Sequence, residues 1–212
     1  MTKEPPECAP LHPASWNKDL ENIIRDTQGT PINVHQLMAN NPDLLRAWWD
    51  FRNHSVSGGT LGNRAGELVI LRVAVHMGAW YEWASHVDRG LKSGLAIEEI
   101  ERVLHHTLPT QLPPADAILL GAVDDLINHH CLLTSTQAEL AHYFSVQQIM
   151  DIMAIQGMYV ILACMIKTWG LPLDADVQAR VSQHTSEKIF LQSAARFKCE
   201  NREALAATQP TP

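Results

Sequence analysis

The stretch ELVILRVAVHMGAWYEWASHVD, residues 67–88, restricts the fold more than any other part of the chain. It is apolar almost throughout, yet Glu67, Arg72, His76, Glu82 and His86 sit inside it. Its first half, Glu67–His76, is rich in β-branched residues and by composition alone would suit a buried strand. The pattern runs back to Asn63 and the neighbouring segments read as helical, so helix is the preferred assignment. The second half predicts a helix from about Ala79 to Ser93, with Gly94 as the stop. A turn at Met77-Gly78 lets the two helices pack antiparallel, which would carry Glu67 towards His86.

The rest of the chain supplies helix signals and no strand alternation. Ser15 is expected to cap a first helix bearing Leu20, Ile23 and Ile24, which stops near Gly29–Pro31. Asn41-Pro42-Asp43 joins a capping side chain, a proline at the first helical position and an acid at the positive end of the dipole. The helix it opens carries Leu44, Leu45, Trp48 and Trp49 and ends before Ser57-Gly58-Gly59. Ile97 starts another, with Glu98 and Glu99 in its first turn. Pro113-Pro114 opens a helix through about Asn128. Thr136–Glu139 and Ser145–Gln148 both fit capping boxes. Residues 146–168 form a long apolar segment ended by Gly170 and Pro172, and its methionines (Met150, Met153, Met158, Met165) read as core filling. The expected class is all-α. Residues 1–14 form a flexible, proline-rich arm, 15–185 one helical domain, and 186–212 a C-terminal helix and frayed tail.

Of the 212 residues, 46% are hydrophobic, enough for one core. A net charge of -7 provides no basic field for nucleic acid or an anionic membrane. No uninterrupted apolar run reaches the ~20 residues of a membrane span. The first residues lack the apolar segment of a secretory signal. Cys8, Cys131, Cys164 and Cys199 are far apart and form no CxxC. They read as reduced thiols of a cytoplasmic protein.

On a helix, positions 82 and 86 lie about 40° apart, on one stripe with Ala79. Each ionisable group buried alone costs several kcal/mol, roughly, so each needs a partner or an altered protonation state. A glutamate beside a histidine in an apolar wall can hold a proton-transfer group poised near neutrality. It can equally be a structural hydrogen bond, and spacing alone does not separate the two. Glu67 and the Trp80/Tyr81/Trp83 cluster favour a functional site, with these aromatics and His76 as candidate substrate contacts. Arg72 fits a substrate carboxylate, although a salt bridge to an acid is the simpler expectation. The pairs His105-His106 and His129-His130 point about 100° apart on a helix and make poor shared ligands. No metal site or other cofactor is expected, and no phosphate loop or nucleophile elbow is present.

Glu67-Leu-Val-Ile-Leu-Arg-Val-Ala, then Tyr81-Glu82-Trp83-Ala-Ser-His86, then Gly94-Leu95-x-x-Glu98-Glu99-Ile100, resembles the carboxymuconolactone decarboxylase and alkylhydroperoxidase D-like superfamily over roughly residues 35–175. The resemblance implies an alkylhydroperoxidase D-like helical bundle that assembles as a homo-oligomer, a trimer or hexamer, with the active site near subunit contacts. The superfamily's peroxidases carry CxxCxxxH, with an upstream glutamate that relays protons. On this chain that glutamate falls on Glu67 and the histidine on His86, while the two cysteines fall on Ala79 and Glu82. Neither residue can form a thiolate, which argues against thiol peroxidase chemistry there. The variant looks like the branch without redox cysteines, which includes the lactone decarboxylases. The tyrosine–glycine–proline signature of compact lactone decarboxylases is missing from VLHHTLPTQLPPADAILL, so the chain looks like a longer, divergent relative.

On that resemblance the expected function is a cofactor-independent lyase acting by proton transfer on a small unsaturated lactone, keto acid or related carbonyl compound, with decarboxylation favoured. His86 would be the general acid/base, Glu82 would orient it or exchange a proton with substrate, and Glu67 would complete the relay. The alternatives are isomerisation or dehydration by the same groups, or a non-catalytic oligomer that binds a small molecule.

Overall fold

Gly78 sets the architecture. In the computed structural model, which describes residues 7–108 and 111–208, it adopts φ 61° and ψ 42°, a left-handed conformation that glycine enters at little cost. Here the chain reverses between α4 (Asn63–Met77) and α5 (Trp80–Lys92). The first half of the apolar stretch is therefore helix and not strand. All residues from Gly66 to His76 are buried. Helix α4 packs against α5, α7 (Pro114–His129) and α9 (Val146–Trp169). A helix covered on every side needs no polar face, which explains why periodicity alone left it ambiguous.

Around this hairpin the fold is all-α, with no strand among the described residues. Before it come α1 (Glu21–Asp26), α2 (Asn33–Met38) and α3 (Pro42–Arg52), then a π-helical turn over Asn53–Gly58. After it come α6 (Ile97–Arg102), α8 (Thr134–Leu140), α10 (Ala175–Val181) and α11 (Glu187–Thr208). Two predicted caps hold. Asn41 Oδ1 accepts from the Leu44 N–H, and Ser145 and Gln148 form a reciprocal box.

Two other caps differ. Ser15 lies inside a 3-10 turn, Pro13–Ser15, because Pro13 takes the first position. A second turn, Lys18–Leu20, is capped by Asn17 before α1 begins. Helix α8 starts at Thr134, so Thr136 is helical and not a cap. The Leu133 N–H is satisfied instead by Asp125 of α7, at 3.0 Å. The described part of the proline-rich arm lies against α2, with the Leu11 N–H donating to Gln36 O at 2.9 Å and Asn40 to Ala9 O at 2.8 Å.

Helix α9 is long and apolar enough to cross a membrane, yet Ile152, Ile155, Met158, Leu162 and Ile166 pack into the core. Its other face is exposed at Val146, Met150, Met153 and Ile161. Two of the four methionines assigned to the core are therefore on the surface. Helix α11 closes the bundle over α4 and α5. Phe190 stacks on Trp83 at 5.2 Å between ring centroids.

Arg72 and His76, one turn apart on α4, meet at Asp124 of α7. Arg72 donates through a fork to both carboxylate oxygens at 2.7 Å, and its remaining nitrogen donates to Val103 O and His105 O. His76 Nε2 lies 2.7 Å from the same carboxylate. Phe197 of α11 covers the guanidinium at 4.5 Å. Arg72 is fully buried, so removing its partner strands a charge, which costs about 3 kcal/mol. Asp124→Ala should lower the unfolding free energy in urea by about that amount; an unchanged midpoint would show that this network does not hold α7 onto α4.

Candidate active site

Glu67 projects from the second turn of α4, and His86 from the middle of α5. The reversal at Gly78 brings them together: His86 Nδ1 lies 2.6 Å from Glu67 Oε2. On the other side of the ring, His86 Nε2 lies 3.4 Å from Glu82 Oε2, one turn back on the same helix. The imidazole thus stands between two carboxylates. Glu67, Glu82 and His86 are all buried, at 6%, 3% and 2% exposure, so their mutual interactions replace hydration.

Burial works to lower the His86 pKa, but the charge of Glu67 and the hydrogen bonds that the ring donates to Glu67 and Glu82 outweigh it, and the pKa is raised above 6.5. The balance favours the charged form of the ring. The ring of Tyr159, from α9, packs against it in a T-shaped arrangement at 4.9 Å and 88°. Within these three side chains, Glu82 Oε1 is buried and has no hydrogen-bond partner. A cavity of about 20 Å³, room for about one water, reaches Glu67 from the side of Ser55, Gly59, Gly62 and Ile155.

Chemically, the arrangement can pass a proton between the two carboxylates through the ring, and Glu82 ends it with an unengaged oxygen. Nothing in it can act as a soft nucleophile. The four cysteines are free thiols, and positions 79 and 82 hold alanine and glutamate.

The candidate substrate contacts divide. Trp80 and Tyr81 line a cavity of about 520 Å³ with Gly78, Lys167, Gly170 and Pro172, but none of the three relay residues borders it. The Tyr81 hydroxyl is committed to Asp174 at 2.5 Å, and burial with that carboxylate raises its pKa far above the ordinary value. Trp83 is 1% exposed and stacked on Phe190, a core residue. Arg72 and His76 are brought to Asp124 and not to the relay, and every Arg72 donor group already has an acceptor. The salt-bridge alternative for Arg72 is the one observed. Among the described residues no group of three histidine, cysteine or acidic side chains is arranged so that it could hold a metal ion.

Three residues near the relay escaped sequence reasoning. Arg89, three positions after His86 on α5, shared its helical face and was in principle readable. Arg52 at the end of α3 and Tyr159 on α9 arrive through tertiary packing and leave no local signal. Arg89 feels the charges of Glu67 and Glu82, and Arg52 feels Glu67 and Arg89.

Residues 42–125 match the model of the carboxymuconolactone decarboxylase family. No curated protein sequence matches the chain. Among solved structures, the alkylhydroperoxidase AhpD core protein of Ralstonia eutropha JMP134, described as an uncharacterized peroxidase-related protein, superposes with a TM-score of 0.70 at 19% identity, over 82% of this chain and 95% of that one. A peroxidase-related protein from Silicibacter sp. TM1040 gives 0.68 at 16%, over 84% and 97%. The debrominase Bmp8, in complex with 2,3,4-tribromopyrrole, gives 0.69 at 16%, over 86% and 99%. At these identities the likeness is one of fold. The matched region spans both helices that carry Glu67, Glu82 and His86, so this part of the chain is similar to the carboxymuconolactone decarboxylase family, and the fold is that of the alkylhydroperoxidase D-like proteins.

Proposed function

We propose that the protein is a cofactor-independent lyase of the cytoplasm that decarboxylates a small unsaturated lactone, keto acid or related carbonyl compound. The observation that carries this reading is the unpartnered Glu82 oxygen at the end of the Glu67–His86–Glu82 chain. When the bond to the departing carboxylate breaks, its electron pair passes into the substrate's carbonyl system and CO2 leaves. The resulting enolate carbon takes a proton from Glu82, and His86 restores it. Glu67 keeps the imidazole charged and oriented. Isomerisation or dehydration would use the same groups, because a proton moved between substrate carbons or oxygens needs the same acid and base. The fold likeness to a debrominase supports a small-molecule enzyme without specifying this reaction.

Glu82→Gln, an isosteric change, should keep the fold, and His86→Ala, which leaves Glu67 and Glu82 buried without their partner, should lower its stability; both should reduce CO2 release from such substrates by roughly 10²–10⁴-fold. Full activity in either variant would remove the relay from the mechanism. A general acid of this kind also dictates a pH profile. The folded His86 pKa is raised, so its stabilising charge is complete below pH 6.5 and is lost as pH rises through the raised value. Turnover should therefore fall along an alkaline limb above pH 6.5. Glu67→Gln removes the charge that raises the pKa and should move that limb to lower pH. A limb that stays in place would assign it to another group.

We also propose that the active form is a homo-oligomer, a trimer or hexamer. The exposed row Val146, Met150, Met153 and Ile161 on α9 supports a second copy as the occupant of that face. The residues recur at helical spacing, and Gly157, with open space where a side chain would stand, lies within the row. Light scattering at micromolar concentration should give a multiple of 23.6 kDa, and Met150→Asp with Ile161→Asp should give the monomer. A monomeric wild type would refute the assembly.

A further inference from the structure

The small cavity beside Glu67 has walls that the chemistry above leaves unexplained. It runs from Gly62 and Asn63, which are exposed, to Ser55 and Glu67, which are buried. Ser55 belongs to the π-helical turn after α3. It is 4% exposed, and its Oγ has no hydrogen-bond partner. A buried serine in a helical turn commonly bonds a carbonyl of the preceding turn, and this one does not. On another wall, Glu67 engages His86 through Oε2, and among the described residues its second oxygen, Oε1, receives no hydrogen bond. The third polar wall is the start of α4. Its N-cap is Gly62, which has no side chain to accept from the first-turn N–H groups.

The space itself depends on glycine. Gly59, Gly62 and Gly66 all border it. Two of them are dictated by their surroundings: a Cβ on Gly59 would fall 2.7 Å from Asp151 Oδ2, and Gly62 has φ 86°. Gly66 is not. It lies inside α4, where glycine weakens a helix, and a Cβ there would meet only Ile155 Cδ1, at an ordinary 3.7 Å. What the missing side chain preserves is the room beside Ser55 and Glu67. That room, about 20 Å³, takes one water and nothing larger. A hydroxyl, a carboxylate oxygen and the amides of a helix start supply the ~2–4 polar partners that a buried water needs.

We propose that Ser55, Glu67 and the start of α4 hold one buried water, and that this water is the port through which the Glu67–His86–Glu82 line exchanges protons with solvent. The water accepts from an N–H of α4 and donates to the Glu67 carboxylate. The Ser55 hydroxyl fixes it between them, so Ser55 is a positioning residue. A proton arriving at the water passes to Glu67 and from there to His86 Nδ1. The use of the port in turnover rests on the lyase reading above; the water and the exchange do not. Decarboxylation of R–COO⁻ to R–H and CO2 consumes one proton in each cycle. The proton that Glu82 gives up must be replaced while substrate occupies that end, and the Glu67 side supplies it from the opposite face of the ring. An isomerisation, which returns the proton it takes, has no such need.

The test has two parts, both on the full chain. A crystal structure should show one water within about 3.2 Å of Ser55 Oγ and of a Glu67 oxygen, and Gly66→Ala, which puts a methyl group into the space, should lack it. Exchange of the two His86 ring protons with water is then read by saturation transfer in protein labelled with ring-¹⁵N histidine, His86 being assigned by its loss in His86→Gln. In Ser55→Val and in Gly66→Ala, exchange of the Nδ1–H should slow by about tenfold or more, because it must wait for local opening. Exchange of the Nε2–H, on the Glu82 side, should stay within about twofold, which a general loosening of the hairpin would not allow. If Ser55→Val fails to fold, Gly66→Ala decides alone, since its methyl group meets no close contact. A cavity without that water, or a water that touches neither Ser55 nor Glu67, overturns the site. Unchanged Nδ1–H exchange, or equal slowing of both ring protons, overturns the port. Exchange that depends on the cavity, in a protein that releases no CO2, would leave the port and remove the lyase. CO2 release with Nδ1–H exchange indifferent to the cavity would do the reverse.

Discussion

The hydrogen bond between His86 and Glu67 is the interaction on which the centre of this molecule depends. Each group, placed alone in the apolar interface of α4 and α5, would destabilise the fold by several kcal/mol, roughly. Together, at 2.6 Å and with Glu82 on the far side of the ring, they form a buried set whose charges offset one another. The cost of desolvation does not vanish. It is met by packing around the hairpin: α4 is enclosed by α5, α7 and α9, and α11 closes over it through Phe190 and Phe197. The bulk of the core can be read as the scaffold that lets three ionisable side chains stay dry.

A second buried charge centre, Arg72–Asp124–His76, occupies the same helix and shows what a purely structural arrangement looks like. There every donor has an acceptor, an aromatic ring closes the site, and no oxygen is left open. The relay differs in one respect: it ends in an unengaged carboxylate oxygen. Satisfaction of the polar atoms, and not burial or charge as such, separates the two.

The sequence disclosed the hairpin because its evidence is local. An unbroken apolar run, a glycine and a second apolar run leave few alternatives, and positions 82 and 86 follow from helical geometry. Glu67 was legible for the same reason, once the two helices were allowed to pack antiparallel. The salt bridge of Arg72 was expected but its partner was not legible, because Asp124 lies far along the chain on α7 and no spacing rule chooses among acids at that distance. Tyr159 and Arg52 were invisible because α9 and α3 reach the site only by packing. The short N-terminal turns were misassigned where a proline displaced the expected cap, and α8 where a side chain from the preceding helix satisfied the first amide.

The reversal at Gly78 has a further consequence. Glu67, Glu82 and His86 all lie on one helical hairpin, so their mutual geometry is fixed by a single local fold, with a loop that closes at small entropic cost. The elements that approach from outside, α3 with its arginine and α9 with its tyrosine, are separate pieces of chain. Changes on them can reshape the surroundings of the three side chains while their mutual distances stay the same. The molecule is thereby divided into a constant charged hairpin and exchangeable walls.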